Sequence, residues 1–386
     1  MARGGPIGLL LGVLPLACAC SVYDPELAAR ARVDAGPRCE LRRPAPRPTA
    51  PDDGVDAGEV VWALKDVVLN QDGDRWRTIG YDLDGLCSHP PDPPVECLPP
   101  ARTADPETDG EGGIDNAFGH QLYPLIALTL PELENDAHLS EAMGVGAILV
   151  RLRGWNGQPD DSRVEATLMI GVTGTAGGAD GAPPDVTVVG NTIQAPDGSA
   201  PPPPAWDGHD YFWVRDDGFL DGDPARPRLQ DDNAYVAGDL LVATLPTRVD
   251  ILFQATEQAV LVRLTDSIAV GRIVDEGARF DAVVAGRWAL FDIFETAERV
   301  GICQGTTQYR LLSDQLDRIA DIRATAGTGG EGVACDAMSV GAAFTGYRGH
   351  VGGLLPAGDV PNACAAAADG GVPDAGPIDA ASPDAG

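Results

Sequence analysis

Between residues 59 and 364 the chain alternates. Val164, Ala166, Leu168, Ile170 and Val172 fall on one side of an extended backbone, with Arg163, Glu165 and Thr167 on the other. Ile148, Val150 and Leu152 oppose Arg151 and Arg153; Val249, Ile251, Phe253 and Ala255 oppose Asp250 and Gln254; Val260, Val262 and Leu264 oppose Arg263 and Thr265. A period of two with one polar face specifies antiparallel, half-buried strands. The turns between them are rich in Gly, Asp and Pro. Three segments follow the helical period instead. One runs over 115–127 with Phe118, Leu122 and Ile126 on a common face, strained by Pro124. A second, over 287–299, sets Trp288, Phe291 and Phe294 against Asp292, Glu295 and Glu298. A third, over 307–322, carries Tyr309, Leu312, Leu316 and Ile319 on a stripe. Such stripes read as packing against a sheet. The pattern predicts a mainly β body over residues 59–364: an antiparallel β-sandwich or jelly roll with a few capping α-helices, in one domain or two subdomains.

The two ends follow neither period. After Arg3 an apolar run from Ile7 to Ala17 leads into Cys18-Ala19-Cys20. A membrane span needs ~20 apolar residues, so residues 1–20 read as a secretory signal. The cysteines near the cut point to lipidation at Cys20 or Cys18, which would anchor the protein to a membrane; the alternative is ordinary secretion, for which Ala17-Cys18-Ala19 has the A-x-A shape. Over 21–58, Pro44, Pro46, Pro48 and Pro51 break regular structure, and Val33-Asp34-Ala35-Gly36 recurs as Val55-Asp56-Ala57-Gly58. Over 365–386, Pro373-Asp374-Ala375-Gly376 recurs as Pro383-Asp384-Ala385-Gly386. Such compositions bury too little to offset ordering entropy. Both stretches are expected to be disordered, the first serving as a tether.

The net charge of -31 argues against nucleic acid as a partner, because a phosphate backbone wants a basic patch. The remaining partners to expect are the membrane, through lipid, and a glycan or envelope protein. Removing the signal leaves Cys39, Cys87, Cys97, Cys303, Cys335 and Cys364. An even set in an oxidising compartment suggests disulfides. Cys87 and Cys97 flank a Pro-rich loop and are expected to pair; Cys303 with Cys335 would bracket the third helix, and Cys39 with Cys364 would tie the ends. None of them has the spacing of a zinc or redox site.

Candidate chemistry concentrates in Asp105-Pro106-Glu107-Thr108-Asp109-Gly110-Glu111-Gly112-Gly113-Ile114-Asp115-Asn116. Calcium takes six to eight oxygens. Counted from Glu107, acids stand at positions one, three and five, glycine at six and Asp115 at nine, like the start of an EF-hand loop. Position twelve is Phe118, so the bidentate glutamate is missing and the loop is not an EF-hand. A calcium site here, from Glu107, Asp109, Glu111, Asp115 and Asn116, would be completed from elsewhere, by Asp82 and Asp84 or by Asp72 and Asp74. A second acidic run, Asp216 to Asp223 followed by Asp231-Asp232-Asn233, reads mainly as hairpin turns. Trp206, Tyr211 and Trp213 are the residues that could stack on a sugar, although alternate aromatics of a strand also enter cores. Gly327-Thr328-Gly329-Gly330-Glu331-Gly332 lacks the strand–turn–helix setting of a dinucleotide site. The five histidines are scattered, without H-E-x-x-H, and G-x-S-x-G and the P-loop are missing. A catalytic role is therefore not expected.

The lipoprotein-like signal, the Asp-Ala-Gly/Pro tails, Asp109-Gly110-Glu111-Gly112-Gly113-Ile114-Asp115-Asn116 and Cys335-Asp336-Ala337-Met338-Ser339-Val340-Gly341 together resemble extracytoplasmic lipoproteins of GC-rich Gram-negative bacteria. The resemblance covers most of the body and implies location, not activity. The expected function is a non-enzymatic envelope lipoprotein whose body is held by disulfides and calcium. The alternatives are a glycan-active hydrolase on a jelly roll, with two carboxylates in one cleft, and a carrier of an apolar ligand, with a lined cavity.

Overall fold

The computed structural model describes residues 39–368 except 52–53, 90–92, 179, 246–247, 255–258 and 359–361. The signal expected over 1–20, with Cys18 and Cys20, lies outside the described residues, as do 21–38 and 369–386.

Each of the four alternating segments forms a strand. The strands are β1 (Val60–Val68), β2 (Ile148–Arg153), β3 (Asp161–Thr175), β4 (Thr187–Val189), β5 (Thr192–Gln194), β6 (Tyr211–Arg215), β7 (Gln230–Ala237), β8 (Leu240–Thr244), β9 (Val249–Gln254), β10 (Ala259–Val274), β11 (Arg279–Ala289), β12 (Ala337–Arg348) and β13 (His350–Leu355). Antiparallel pairing runs β3–β2–β1–β12–β11–β10–β8–β7, and β7 pairs back onto β3 through Val164↔Ala234 and Asp161↔Val236. Eight strands therefore close into a barrel. The body is mainly β and antiparallel, as alternation requires, but the expected sandwich or jelly roll is corrected to a closed sheet.

The reason lies in two strands long enough to serve two partners each. The first half of β3 pairs with β7, and its end, Gly171 to Thr175, pairs with β6, which β13 joins in parallel. In β10, Ala259–Leu264 pairs with β9 and Ile268–Arg272 with β8, across an irregularity next to Asp266 at φ 45°. Bends of this kind let a sheet curl onto itself. Alternation fixes which face is apolar but not which strands meet.

The interior is filled. Trp62, Leu64, Leu152, Leu168, Leu264, Phe280, Val340 and Phe344 belong to one buried cluster. Trp62 stacks on Phe280 at 4.6 Å and donates its indole N–H to Gly277 O at 2.8 Å. Gly271 is required here, because a Cβ would stand 1.9 Å from the Phe280 ring. Outside the barrel, Phe212 and Val214 of β6 cover Val61, Ala63, Leu149 and Met169.

A π-turn, Phe118–Leu122, runs into α1 (Tyr123–Thr129), then α2 (Leu133–Ala142); α3 (Leu290–Arg299), α4 (Thr307–Ile319) and α5 (Ala363–Ala368) follow. Pro124 sits in the first turn of α1, where a missing N–H costs nothing. The helix expected over 287–299 starts at Leu290, since Arg287 and Trp288 pair with Thr265 and Leu264 in the sheet. Part of the stretch expected as tether is held by the barrel. Arg47 lies over the Tyr235 ring at 4.4 Å, and the Tyr235 hydroxyl donates to Ala45 O at 2.7 Å. At the other end, α5 overlaps the start of the expected tail.

The expected disulfide pairings are corrected. Cys97 is bonded to Cys335 (Cα–Cα 5.1 Å) and Cys303 to Cys364 (5.4 Å), not Cys87 to Cys97, Cys303 to Cys335 or Cys39 to Cys364. Cys39 and Cys87 are also disulfide-bonded. Leu98 N–H donates to Val333 O and Cys335 N–H to Leu98 O, both at 2.8 Å. That lays two distant segments side by side, a pairing that local sequence does not announce. The disulfides fit an oxidising, extracytoplasmic environment. No helix among the described residues is long and apolar enough to cross a membrane.

Candidate metal centre

Three pieces of chain meet beside the barrel: 79–88, 107–116 and the turn after α4. Backbone hydrogen bonds knit the first two. Asp115 N–H donates to Tyr81 O (3.1 Å), Asp109 N–H to Ser88 O (3.0 Å), Glu111 N–H to Arg77 O (2.8 Å) and Gly110 N–H to Ile114 O (2.8 Å). Gly113 permits the turn. Its φ is +72°, and a Cβ there would stand 2.5 Å from Leu86 O. Arg287 ties the group to the barrel, donating to Glu96 Oε2 at 2.7 Å and to Arg323 O at 2.8 Å.

Carboxylates converge where these pieces touch. One oxygen from each of Asp82, Asp84 and Asp115 lies within 4.8 Å of the other two. Next to them, Asp84, Glu107, Asp109, Asp115 and Asp321 line a cavity of about 10 Å³, the size of one water or small ion. Backbone N–H groups hold several of these side chains: Leu83 donates to Asp115 Oδ2 (2.6 Å), Leu86 to Asp84 Oδ1 (2.8 Å), Ser88 to Asp109 Oδ2 (2.5 Å) and Ser339 to Asp321 Oδ1 (2.9 Å). Glu107 pairs with His120 of the π-turn, whose ring stacks on Trp76 at 3.9 Å.

The electrostatics are lopsided. Asp109 and Asp115 are 6% and 4% exposed. Burial, reinforced by Asp84, Asp321 and Asp82, pushes Asp109 up to about 8. Burial, with Asp84, Asp109 and Asp321 adding repulsion, also holds Asp115 far above the ordinary carboxylate range. Asp321 is pushed to about 7 by burial, with Glu107 adding repulsion, and Asp84 is raised mainly by burial. Buried carboxylates must be neutralised by a proton, a cationic side chain or a metal. The cations at hand are already paired, Arg287 with Glu96 and the largely exposed Arg43 with Asp82.

Of the residues nominated from sequence, Asp82, Asp84, Glu107, Asp109 and Asp115 come together. Glu111 is exposed and outside the cavity. Asn116 is buried as a hub. Its amide donates to Gln71 Oε1 (2.6 Å) and Ile79 O (2.8 Å), and its carbonyl accepts from Gly119 N–H and Gly341 N–H (3.0 Å each). Asp321 and Glu96 join the cavity without having been nominated. The trace of Asp321 in sequence is a lone acid in Ile319-Ala320-Asp321-Ile322. Asp72 and Asp74 are exposed. In the second acidic run, Asp217 pairs with Arg215 (2.7 Å) and Asp221 with Arg226 (2.8 Å).

The aromatic stretch is largely consumed by packing. Trp213 is 6% exposed and packs with Ile193 and Leu355. Tyr211 stacks on His350 at 4.8 Å and donates its hydroxyl to Gly181 O. Trp206, at φ 58°, leans on Phe212 (5.5 Å) and lies under Lys65 (5.3 Å).

No family model, curated protein or solved structure matches this chain. The functional argument therefore rests on this geometry.

Proposed function

We propose that this chain is a non-catalytic, lipid-anchored envelope protein whose barrel carries a calcium ion in the carboxylate cavity. One observation carries the reading: Asp109 and Asp115 are buried against other carboxylates, and the nearby cations are committed to Glu96 and Asp82. The donor set is all hard oxygen, from carboxylates on three separate segments. That irregular, protein-supplied shell suits calcium better than magnesium, which demands a near-ideal octahedron and keeps its waters. Asp84, Glu107, Asp109, Asp115 and Asp321 would hold the ion, with Asp82 beside it. Its role would be charge neutralisation and bracing of the two loops against the turn after α4. The lipid anchor and the envelope location rest on the signal-like start of the chain and on the disulfides.

Thermal unfolding of the mature protein at pH 8, with chelator and then with calcium, tests the reading. An ion that binds only the folded state adds ~2.7 kcal/mol at a hundredfold excess over Kd, a rise of several degrees in Tm. Asp115→Asn should abolish that rise. An unchanged Tm in the wild-type protein at millimolar calcium would return the cluster to a set of protonated acids.

A further inference from the structure

The fold assembles a second set of metal-type donors, soft where the carboxylates are hard. Cys39 and Cys87 carry the third disulfide. Their sulfurs and a ring nitrogen of His89 all lie within 4.8 Å of one another. Cys97 and Cys335 are each only 2% exposed, out of easy reach of a reductant. Cys303 and Cys364 join no group of three metal-type side chains among the described residues. Cys39 and Cys87 are half-buried, and His89 is exposed. Their disulfide is thus both accessible and joined by an imidazole. The segments that bear the sulfurs are also held without it. Arg42 N–H donates to Gly112 O at 2.6 Å and Asp82 N–H to Arg42 O at 2.9 Å, which pins the chain just after Cys39. Ser88, next to Cys87, accepts Asp109 N–H at 3.0 Å, and its hydroxyl donates to Pro94 O at 2.6 Å. Opening the disulfide therefore leaves two thiols and an imidazole facing one another.

From this donor set, positioned by hydrogen bonds that do not involve it, we propose that Cys39, Cys87 and His89 form a zinc site, closed in the oxidised protein and opened by a dithiol reductant. In the reduction the protein's S–S bond breaks and the two sulfurs of the reductant join. Two electrons and two protons pass to Cys39 and Cys87. Zinc then replaces both thiol protons, which leave to solvent. Bonds of ~2.3 Å to sulfur and ~2.0 Å to nitrogen set tetrahedral ligand atoms about 3.5–3.8 Å apart. The sulfurs part from bonding distance and the imidazole closes in, motions that side-chain rotation supplies. Two thiolates and an imidazole select zinc over calcium, a hard ion that takes oxygen. Three protein ligands leave a fourth position for water. The inference is independent of the calcium reading, whose donors are all oxygen.

Cobalt(II) is the probe, because thiolate ligands give it an intense near-ultraviolet charge-transfer band that oxygen ligands do not. The full mature protein is treated with dithiothreitol, desalted without air and titrated with cobalt. Differential alkylation with peptide mapping records which cysteines are free. With Cys39 and Cys87 reduced, the protein should bind a single cobalt ion with the thiolate band, and zinc should discharge it. The oxidised protein should show no band, and alkylation of the free thiols should abolish it. His89→Ala should weaken cobalt binding by about tenfold or more, since even the outer-shell partners of a metal ligand are worth that much. Three results would each overturn the inference: no thiolate band once Cys39 and Cys87 are free, equal affinity in His89→Ala and wild type, or a Cys39–Cys87 bond that resists reduction while Cys97–Cys335 opens. Cobalt held by the carboxylate cavity gives no such band, so it cannot imitate the site. The comparison uses no cysteine variant and therefore does not depend on folding without the disulfide.

Discussion

Two acidic runs that look alike in sequence part company at the level of single side chains. In 216–223 Asp217 and Asp221 each find an arginine, and Arg215 holds Asp217 below the ordinary range. Around Asp109 and Asp115 the charged neighbours are more acids. That difference makes a signed prediction. Below about pH 4 Asp109 is protonated in both folded and unfolded chains, so it favours neither. As pH rises the unfolded chain releases the proton first, while the folded chain keeps it until about pH 8. The metal-free protein therefore loses stability through that window, and the loss is complete above it. Asp109→Asn should remove the loss, making the variant more stable than wild type at pH 8.5 in chelator and no more stable at pH 4. Denaturant midpoints at the two pH values check this; a variant less stable at pH 8.5 would mean that Asp109 is not an uncompensated buried charge. Sequence could nominate Asp82, Asp84, Glu107, Asp109 and Asp115, because acids and glycines cluster in local runs. It could not exclude Asn116, whose five-way hydrogen bonding depends on Gln71 and Gly341, nor supply Asp321, which arrives from two hundred residues away.

At the scale of elements, strands and helices with an apolar stripe were legible, and α2 was not. Its sheet-facing side chains include Glu134, His138 and Glu141, so it has no hydrophobic stripe to find. Glu134 accepts the N–H groups of Leu69 and Asn70 (3.0 and 3.2 Å). His138 Nε2 meets Val67 O at 2.7 Å, and Glu141 accepts Val67 N–H at 3.4 Å. The register of β1 shifts between Lys65 and Val68, which frees backbone groups that the helix then satisfies. Polar side chains do the work that leucines do elsewhere. Glu134→Ala should therefore cost about 1–3 kcal/mol, the penalty for stranded donors, whereas Glu134→Gln, which keeps an acceptor, should cost much less. Chemical denaturation of both variants measures the difference, and equal costs would show that the carboxylate's bonds to the chain just after β1 carry no weight.

For the whole molecule, closure was invisible because it depends on which strands meet, and alternation is silent on that. The same holds for the disulfides. Cys97 and Cys335 are separated by 238 residues, so the bond closes a loop worth roughly 5–6 kcal/mol in chain entropy. That separation also imposes a schedule. A chain made from its N-terminus presents Cys97 to an oxidant long before Cys335 exists, with Cys39 and Cys87, which are themselves disulfide-bonded in the folded protein, already made and Cys87 ten residues away. The pairing that proximity favours for Cys97 is the wrong one, and wherever Cys87 captures it the native bond is reached by exchange. Refolding of the reduced protein should give native product in a mixed glutathione buffer that permits shuffling, and mostly a Cys87–Cys97 species, identified by peptide mapping, under oxidant alone. Equal native yields in both would remove the trap. In the cell, production of this barrel would then be limited by disulfide-isomerising capacity more than by oxidising power.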